Sequence, residues 1–298
     1  MELWVWITLA AAAVQTLRFM LQKRLKGLGM STGGATFSRF VFAAPLAGAG
    51  VLVLTLATDR ALPALSPGFW VLAVAGGLAQ IIATFFTVAL FSERSFAVGI
   101  AFTKTEAIQI AGFSALLLAE PVSPAGLVAI GVGTLGVLAL TRPKGGWAAA
   151  GWQPKALGLG VLAGFFFGLS AIGYRAATLA VVSPDPLMRA LVALVCVTAF
   201  QTLAMALWLV WREPGELARV AGRWRAVLPV GVTGVLGSAG WFTAFALQNA
   251  AYVRSLGQIE LVFSILASVL VFRETVRGSE ILGMGLLAVS IVMLVTLA

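Results

Sequence analysis

The sequence predicts an all-α membrane protein of ten transmembrane helices in two inverted five-helix repeats, and three observations carry that prediction. The chain of 298 residues is 60% hydrophobic and 10% charged, whereas a soluble domain is about a quarter charged. Ten apolar runs reach the roughly 20 residues a spanning helix needs: 3–22, 33–57, 68–91, 96–118, 122–141, 156–180, 187–211, 226–248, 253–272 and 279–298. The stretch Ser95–Thr141 returns from Ser255 onward, with Glu106 aligned to Glu260 and Glu120 to Glu274, each pair 154 positions apart.

The runs are long and continuous, without the period-two alternation of a strand barrel, so the spans are helices. Met1-Glu2 offers no basic n-region and no small-residue cleavage site follows, so the first span is expected to be retained. Short linkers with helix breakers separate the spans, at Asp59–Pro67, Glu120–Pro124, Pro143–Pro154, Ser183–Pro186 and Arg212–Arg225. The stretch Arg142–Lys155 is the midpoint, which gives a first repeat over 1–145 and a second over 152–298. Five spans per repeat is an odd number. The second repeat therefore enters the membrane from the opposite side and is an inverted copy of the first.

Orientation follows from loop charge. The odd-numbered loops hold Lys23, Arg24 and Lys26, then Arg94, then Arg142, Lys144 and Lys155, then Arg212, Arg219, Arg223 and Arg225, then Arg273 and Arg277. The even-numbered loops hold Arg60, with Arg189 and Arg254 just inside the following spans. The positive-inside bias puts the odd loops in the cytoplasm and both termini outside. Trp4, Trp6, Trp70, Trp208, Trp211 and Trp224 lie near span ends, where interfacial anchors belong.

Composition also excludes. Cys196 is the lone cysteine and there is no histidine, so an internal disulfide, a thiolate metal cluster, a His-metal site and a His proton relay are all ruled out. No metal or cofactor is expected. The +9 net charge sits mostly in loops, where topology explains it without nucleic acid. No GxxxxGK[ST] motif is present, so ATP does not drive the chain. Large polar loops and acidic metal-binding clusters are also missing, which argues against a membrane enzyme.

Glycines recur every four residues at Gly160, Gly164 and Gly168, and every three at Gly231, Gly234, Gly237 and Gly240, spacings that let helices pack closely. Charges inside the spans are the functional clue, since each costs about 2.5–3.5 kcal/mol at the bilayer centre. Glu106 and Glu260 lie well within their spans. Lys104 stands two residues from Glu106 and so on another helix face, while Gln109 shares the face of Glu106. Gln258 replaces Lys104 in the second repeat, which makes the halves chemically unequal. Arg39 matches Arg189 as a structural or coupling charge. The carboxylates either pair with Arg39, Arg189, Lys104 or Arg254 and fix the fold, or one of them, Glu106 first, binds a substrate amine or a coupling proton. Gln15, Tyr174 and Trp241 complete the candidate substrate site, Trp241 because its indole N–H wants a polar partner at that depth. The in-span excess of Arg and Lys favours a zwitterion or an organic anion over a lipophilic cation.

With ten spans, two five-span repeats, and the turns Ala119-Glu120-Pro121-Val122-Ser123 and Arg273-Glu274-Thr275-Val276-Arg277 before Gly-rich final spans, the chain resembles the drug/metabolite transporter superfamily, in particular its EamA family of ten-span bacterial metabolite exporters. The resemblance covers nearly the whole chain. It implies a secondary transporter, not an enzyme, exporting amino acids or related metabolites, often with proton coupling, by alternating access. Its members commonly have cytoplasmic termini, and the loop charges of this chain indicate the reverse. Two other readings stand beside it: a multidrug or cation exporter using Glu106 as a proton-coupled site, and a lipid translocase or non-transporting membrane scaffold. The expected partners are a small-molecule substrate, a coupling proton as a candidate, and membrane lipid, with the chain a monomer or homodimer. The third, fourth, eighth and ninth spans are expected to line the cavity, the first and sixth to move, and the fifth and tenth to form a static seam.

Overall fold

The computed structural model describes residues 2–59, 61–90, 103–143, 146, 154–263, 265–266 and 277–297. In chain order the helices are α1 (Leu3–Gly27), α2 (Thr32–Phe37), α3 (Ala43–Thr58), α4 (Phe69–Leu90), α5 (Glu106–Leu118), α6 (Pro124–Leu140), α7 (Pro154–Leu179), α8 (Pro186–Arg212), α9 (Glu216–Gly222), α10 (Trp224–Leu247), α11 (Ala250–Leu256) and α12 (Gly278–Leu297). A 3-10 turn, Gly257–Ile259, continues α11 into further helix at 260–263. Six helices (α1, α4, α7, α8, α10 and α12) are long and apolar enough to cross a membrane, and α3, α5 and α6 are shorter apolar helices. The chain is thus the all-α membrane protein its composition predicts.

Local chemistry sets the helix starts. Ser31 caps α2 through the Gly34 N–H, and Ser123 caps α6 through the Gly126 N–H with Pro124 in the first turn. Asp185 caps α8 ahead of Pro186, and Asn249 caps α11. Each supplies an acceptor for an N–H that has no partner within the helix, and a first-turn proline gives up only an N–H that would be idle. The caps Ser31 and Asp185 stand 154 residues apart, as do the starts of α6 and α12, the same shift that relates Glu106 to Glu260. In that register Arg39 lies opposite Ala193, so Arg39 and Arg189 are not equivalent positions, as their sequence match implied.

The second span departs from the continuous helix expected at 33–57. It breaks at 38–42 between α2 and α3, where the backbone turns through shorter bonds such as Phe40 N–H to Phe37 O at 2.9 Å and Ala43 N–H to Phe40 O at 2.8 Å. Pro45 is the cause. It has no N–H to bond the carbonyl of Val41, and its ring crowds that carbonyl. The break leaves Arg39 on irregular backbone rather than on a helix face.

Helix pairing follows the duplication. α4 packs on α7 and α1 packs on α10, while α3 packs on α8, α5 on α11 and α6 on α12. Exchanging the halves in the 154-residue register (α1 with α7, α3 with α8, α4 with α10, α6 with α12) swaps the α4–α7 and α1–α10 pairs and returns the α3–α8 and α6–α12 pairs to themselves. That is the contact pattern of two copies related by a twofold. The α6–α12 pair meets through glycine: a Cβ on Gly283 would come within 2.7 Å of the Gly136 carbonyl oxygen. With lipid as solvent there is little hydrophobic drive between spans, and such close backbone approach supplies dispersion instead. The glycines of α7 and α10 serve likewise, Gly164 against the Thr103 carbonyl and Gly231 against Phe42, each leaving 2.8 Å for a Cβ.

Tryptophans at span ends divide. Trp6, Trp70, Trp211 and Trp224 are exposed on the perimeter, but Trp4 is buried and donates to Glu2 at 2.7 Å, and Trp208 packs edge-on against Phe85. Glu274, Arg94, Arg273, Lys144, Arg60 and most of the junction between the halves lie outside the described residues.

Candidate functional site

Two turns meet beside one cavity. Residues 104–105, just before α5, form a turn, and residues 257–259 form the 3-10 turn after α11. Positions 104–105 and 258–259 are 154 apart, so a turn precedes the matching carboxylate in each half. Gly257 allows the second one, because a Cβ there would overlap the Trp241 indole. Each turn leads to a carboxylate, Glu106 in the first and Glu260 in the second, with 2% and 5% of their surface exposed.

The charge pairs are crossed between the halves. Glu106 pairs with Arg254 of the second half, and Glu260 pairs with Lys104 of the first. Lys104, in the turn before α5, and Glu106, the first residue of that helix, each find a counter-ion across the interface. Gln15 extends the network: its amide donates to Glu260 at 2.6 Å and accepts from the Trp241 indole N–H at 3.0 Å. The Arg254 guanidinium lies over the same indole, 4.7 Å from the ring centroid, a stacking that a desolvated site strengthens.

These groups line a cavity of about 300 Å³. Its walls come from α1, the α2–α3 break, α4, Thr103, Lys104 and Glu106 at the start of α5, α7, α10, Arg254 of α11 and residues 260–261 beyond the 3-10 turn, while α6 and α12 stay out of it. The expected third, fourth, eighth and ninth spans are joined there by the first, second and sixth. Tyr174 lines it too. Its ring packs on Phe242 with centroids 4.4 Å apart, and its hydroxyl accepts from Gln201 at 2.9 Å. Arg39 enters from the second-span break. It donates to Thr84 at 3.1 Å, and the Gln80 amide oxygen, in the orientation that also lets Gln80 donate to Ser170, accepts from it at 2.8 and 3.1 Å.

Of the residues singled out in the sequence, Gln15, Lys104, Glu106, Tyr174, Trp241, Glu260 and Arg39 therefore gather around one cavity. Three lie elsewhere. Gln109 turns back on its own helix to donate to Thr105 at 3.0 Å. Gln258 is buried toward the α6–α12 seam, its amide oxygen 3.3 Å from where a Gly133 Cβ would sit. Arg189 stays at the start of α8 and donates to the Ser183 carbonyl. The cavity also includes Thr16, Phe19, Phe167, Ser238 and Phe245, which carry no charge or repeat signal that sequence reading could use.

Interlocked loops lie near the Tyr174 and Phe245 side of the cavity. Leu65 and Val181 form an antiparallel bridge between the α3–α4 and α7–α8 connections. Beside it Arg175 makes a fork to both oxygens of Glu120, at 2.6 and 2.7 Å, and also donates to the carbonyls of Phe245 and Gln248. Asn249 donates to the Glu120 carbonyl at 3.1 Å. A single guanidinium thus ties the α5–α6 turn and α7 to the α10–α11 corner. Among the described residues no group of His, Cys, Asp and Glu is placed to hold a metal ion.

Comparison with known proteins fits this picture. No curated protein matches the chain. A solved structure described only as "Crystal structure of protein" has a TM-score of 0.70 at 18% identity, covering 99% of this chain and 96% of its own. At that identity the likeness shows the fold alone. Residues 154–296, the half that supplies Glu260, Arg254, Trp241 and Tyr174, match the EamA-like transporter family, whose members are membrane transporters of the drug/metabolite type. The chain accordingly carries an EamA-like transporter family domain in its second half.

Proposed function

We propose that the protein is a secondary transporter that moves small zwitterionic or anionic metabolites, amino acids or related compounds, across the bacterial inner membrane by alternating access. The observation that carries this reading is the cavity at the meeting of the two halves, bordered by the turns before Glu106 and Glu260 and flanked by the Lys104–Glu260 and Arg254–Glu106 pairs. Repeat-built transporters bind at the midplane where discontinuous helices meet. A purely structural ion pair has no need of an adjoining void. The α6–α12 seam would stay fixed while the remaining helices rock about the cavity, and the Arg175–Glu120 fork would close one end in this conformation. Export is the direction we infer, with both termini outside, as monomer or homodimer, with lipid around it and a proton as the candidate coupling ion. The chain acts as a carrier rather than an enzyme in this reading.

Uptake into proteoliposomes of a panel of amino acids, organic anions and cationic dyes, at two pH values, tests it. Selective accumulation of zwitterions or anions is expected. The cation-exporter reading has one observation in its favour, since Glu106 Oε2 has no hydrogen-bond partner among the described residues. Glu106→Gln separates the two. Loss of proton-driven dye movement would favour that exporter, and unchanged transport by folded protein would remove Glu106 from the mechanism. No transport across the whole panel by folded protein would move the assignment to a lipid translocase or scaffold.

A further inference from the structure

The charges around the cavity do not balance. Arg39, Lys104 and Arg254 line it against Glu106 and Glu260. Both carboxylates are already engaged, Glu260 with Lys104 and Glu106 with Arg254. Arg39 is 7% exposed, and its partners, the Thr84 hydroxyl and the Gln80 amide oxygen, are neutral. Behind it lies Arg18, 2% exposed, which donates to the Gln22 amide and rests on the Phe19 ring at 4.4 Å. The stems of the two arginines flank the same glycine: a Cβ on Gly234 would lie 3.5 Å from Arg39 Cγ and 3.7 Å from Arg18 Cδ. Among the described residues neither guanidinium pairs with a carboxylate. Two neighbouring buried cations without a counter-ion are costly in a low-dielectric interior. One of them faces an empty space large enough for a small organic molecule.

We infer that Arg39 is the subsite for the acidic head of the cargo, and that the cargo is an aromatic or similarly flat apolar compound bearing a carboxylate or sulfonate. This rests on the transporter reading and narrows it. The guanidinium presents a planar fork, the geometry that holds a carboxylate through two parallel bonds. The rest of the cavity suits a ring: Phe19, Phe167, Tyr174, Trp241, Phe242 and Phe245 all line it. A volume of about 300 Å³ lies at the small end of ligand pockets and suits a single-ring compound. A simple organic cation has no such welcome. To reach an acid it must displace Lys104 or Arg254, and the idle Glu106 Oε2 is itself shielded from the void. A zwitterion can use Arg39 but must house its ammonium among groups of like sign.

Binding to the full chain in detergent, by isothermal calorimetry, reads the subsite independently of transport. The probes are benzenesulfonate, phenylalanine and benzyltrimethylammonium, which share a ring and differ in charge. Benzenesulfonate is expected to bind tightest and the quaternary cation weakest. Arg39→Gln is expected to weaken benzenesulfonate about 10–100-fold, the span of one lost charge-assisted contact. Arg39→Lys keeps the charge but not the fork and should restore only part of that loss, which guards against a folding defect in the Gln variant. Arg189→Gln, outside the cavity, should bind as the parent does. Equal benzenesulfonate affinity in Arg39→Gln and parent, or tighter binding of benzyltrimethylammonium than of benzenesulfonate, would overturn the subsite. Arg39-dependent binding without any uptake into proteoliposomes would uphold the subsite and sink the transporter reading, while uptake of phenylalanine indifferent to Arg39 would do the reverse.

Discussion

Replacing Lys104 by Gln tests the crossed charge pairs most directly. Lys104 and Glu260 are both at least nine-tenths buried, with side-chain exposures of 9% and 6%. Removing the cation takes away the ion pair of Glu260, which keeps the neutral Gln15 amide at 2.6 Å among its partners. An uncompensated buried charge costs about 3–5 kcal/mol when its partner is removed. Glu260→Gln strands Lys104 in the same way. The double variant strands nothing, since two amides of similar volume replace the pair. Its loss should be well below the sum of the two single losses, with a coupling energy of about 2 kcal/mol or more. Unfolding of the three variants by denaturing detergent in mixed micelles, followed by tryptophan fluorescence, gives the four corners of the cycle. Single losses that add to within about 0.5 kcal/mol, as those of separated sites do, would mean that Lys104 and Glu260 do not share a contact, and the crossed arrangement would be wrong.

Other outcomes follow from the same geometry. Gly257→Ala places a methyl group inside the Trp241 indole and should lower thermal stability in detergent and disturb the Trp241–Gln15 bond, whereas Gly285→Ala, with open space around it, should be neutral or stabilising by up to about 1 kcal/mol. Arg175→Ala removes four hydrogen bonds near the Phe245 side of the cavity. A cysteine introduced at Ser170, inside the cavity, should then react faster with a membrane-impermeant maleimide added from the Glu120 side, and an unchanged rate would show that the fork is not a closure. Benzenesulfonate loaded inside proteoliposomes should speed uptake of the labelled compound from outside, because a loaded carrier crosses with Arg39 neutralised and an empty one does not. Equal rates from loaded and empty vesicles would count against that dependence.

The parts legible in the sequence are those that depend on periodicity and spacing. The apolar runs gave the spans, and the shift of 154 residues gave the equivalence of Glu106 and Glu260, which the helix caps at Ser31 and Asp185 extend to the second and seventh spans. Trp241 could be placed because an indole N–H at depth must find an acceptor, here Gln15. What could not be read is which side chain faces which across the interface. Lys104 stands two positions from Glu106 in sequence yet serves Glu260, because it lies in the turn before α5 and not on the helix that carries Glu106. Gln109 was expected to follow Glu106 into the site on helical spacing alone, but that spacing fixes a face of one helix and not what lies opposite. Arg39 matched the wrong arginine because its position depends on the five-residue backbone break at 38–42, set by Pro45.

The swapped arrangement of acids and bases has a consequence for biosynthesis. While the ribosome has released only the first five spans, Glu106 has no access to Arg254, and Lys104 has no access to Glu260. The early half must wait in the bilayer with its ionised groups held by water, lipid or the insertion machinery until the later half arrives. Two separately encoded halves would therefore be poor membrane residents singly and stable together, a nascent-chain dependence written into the way the copies hold each other's ions.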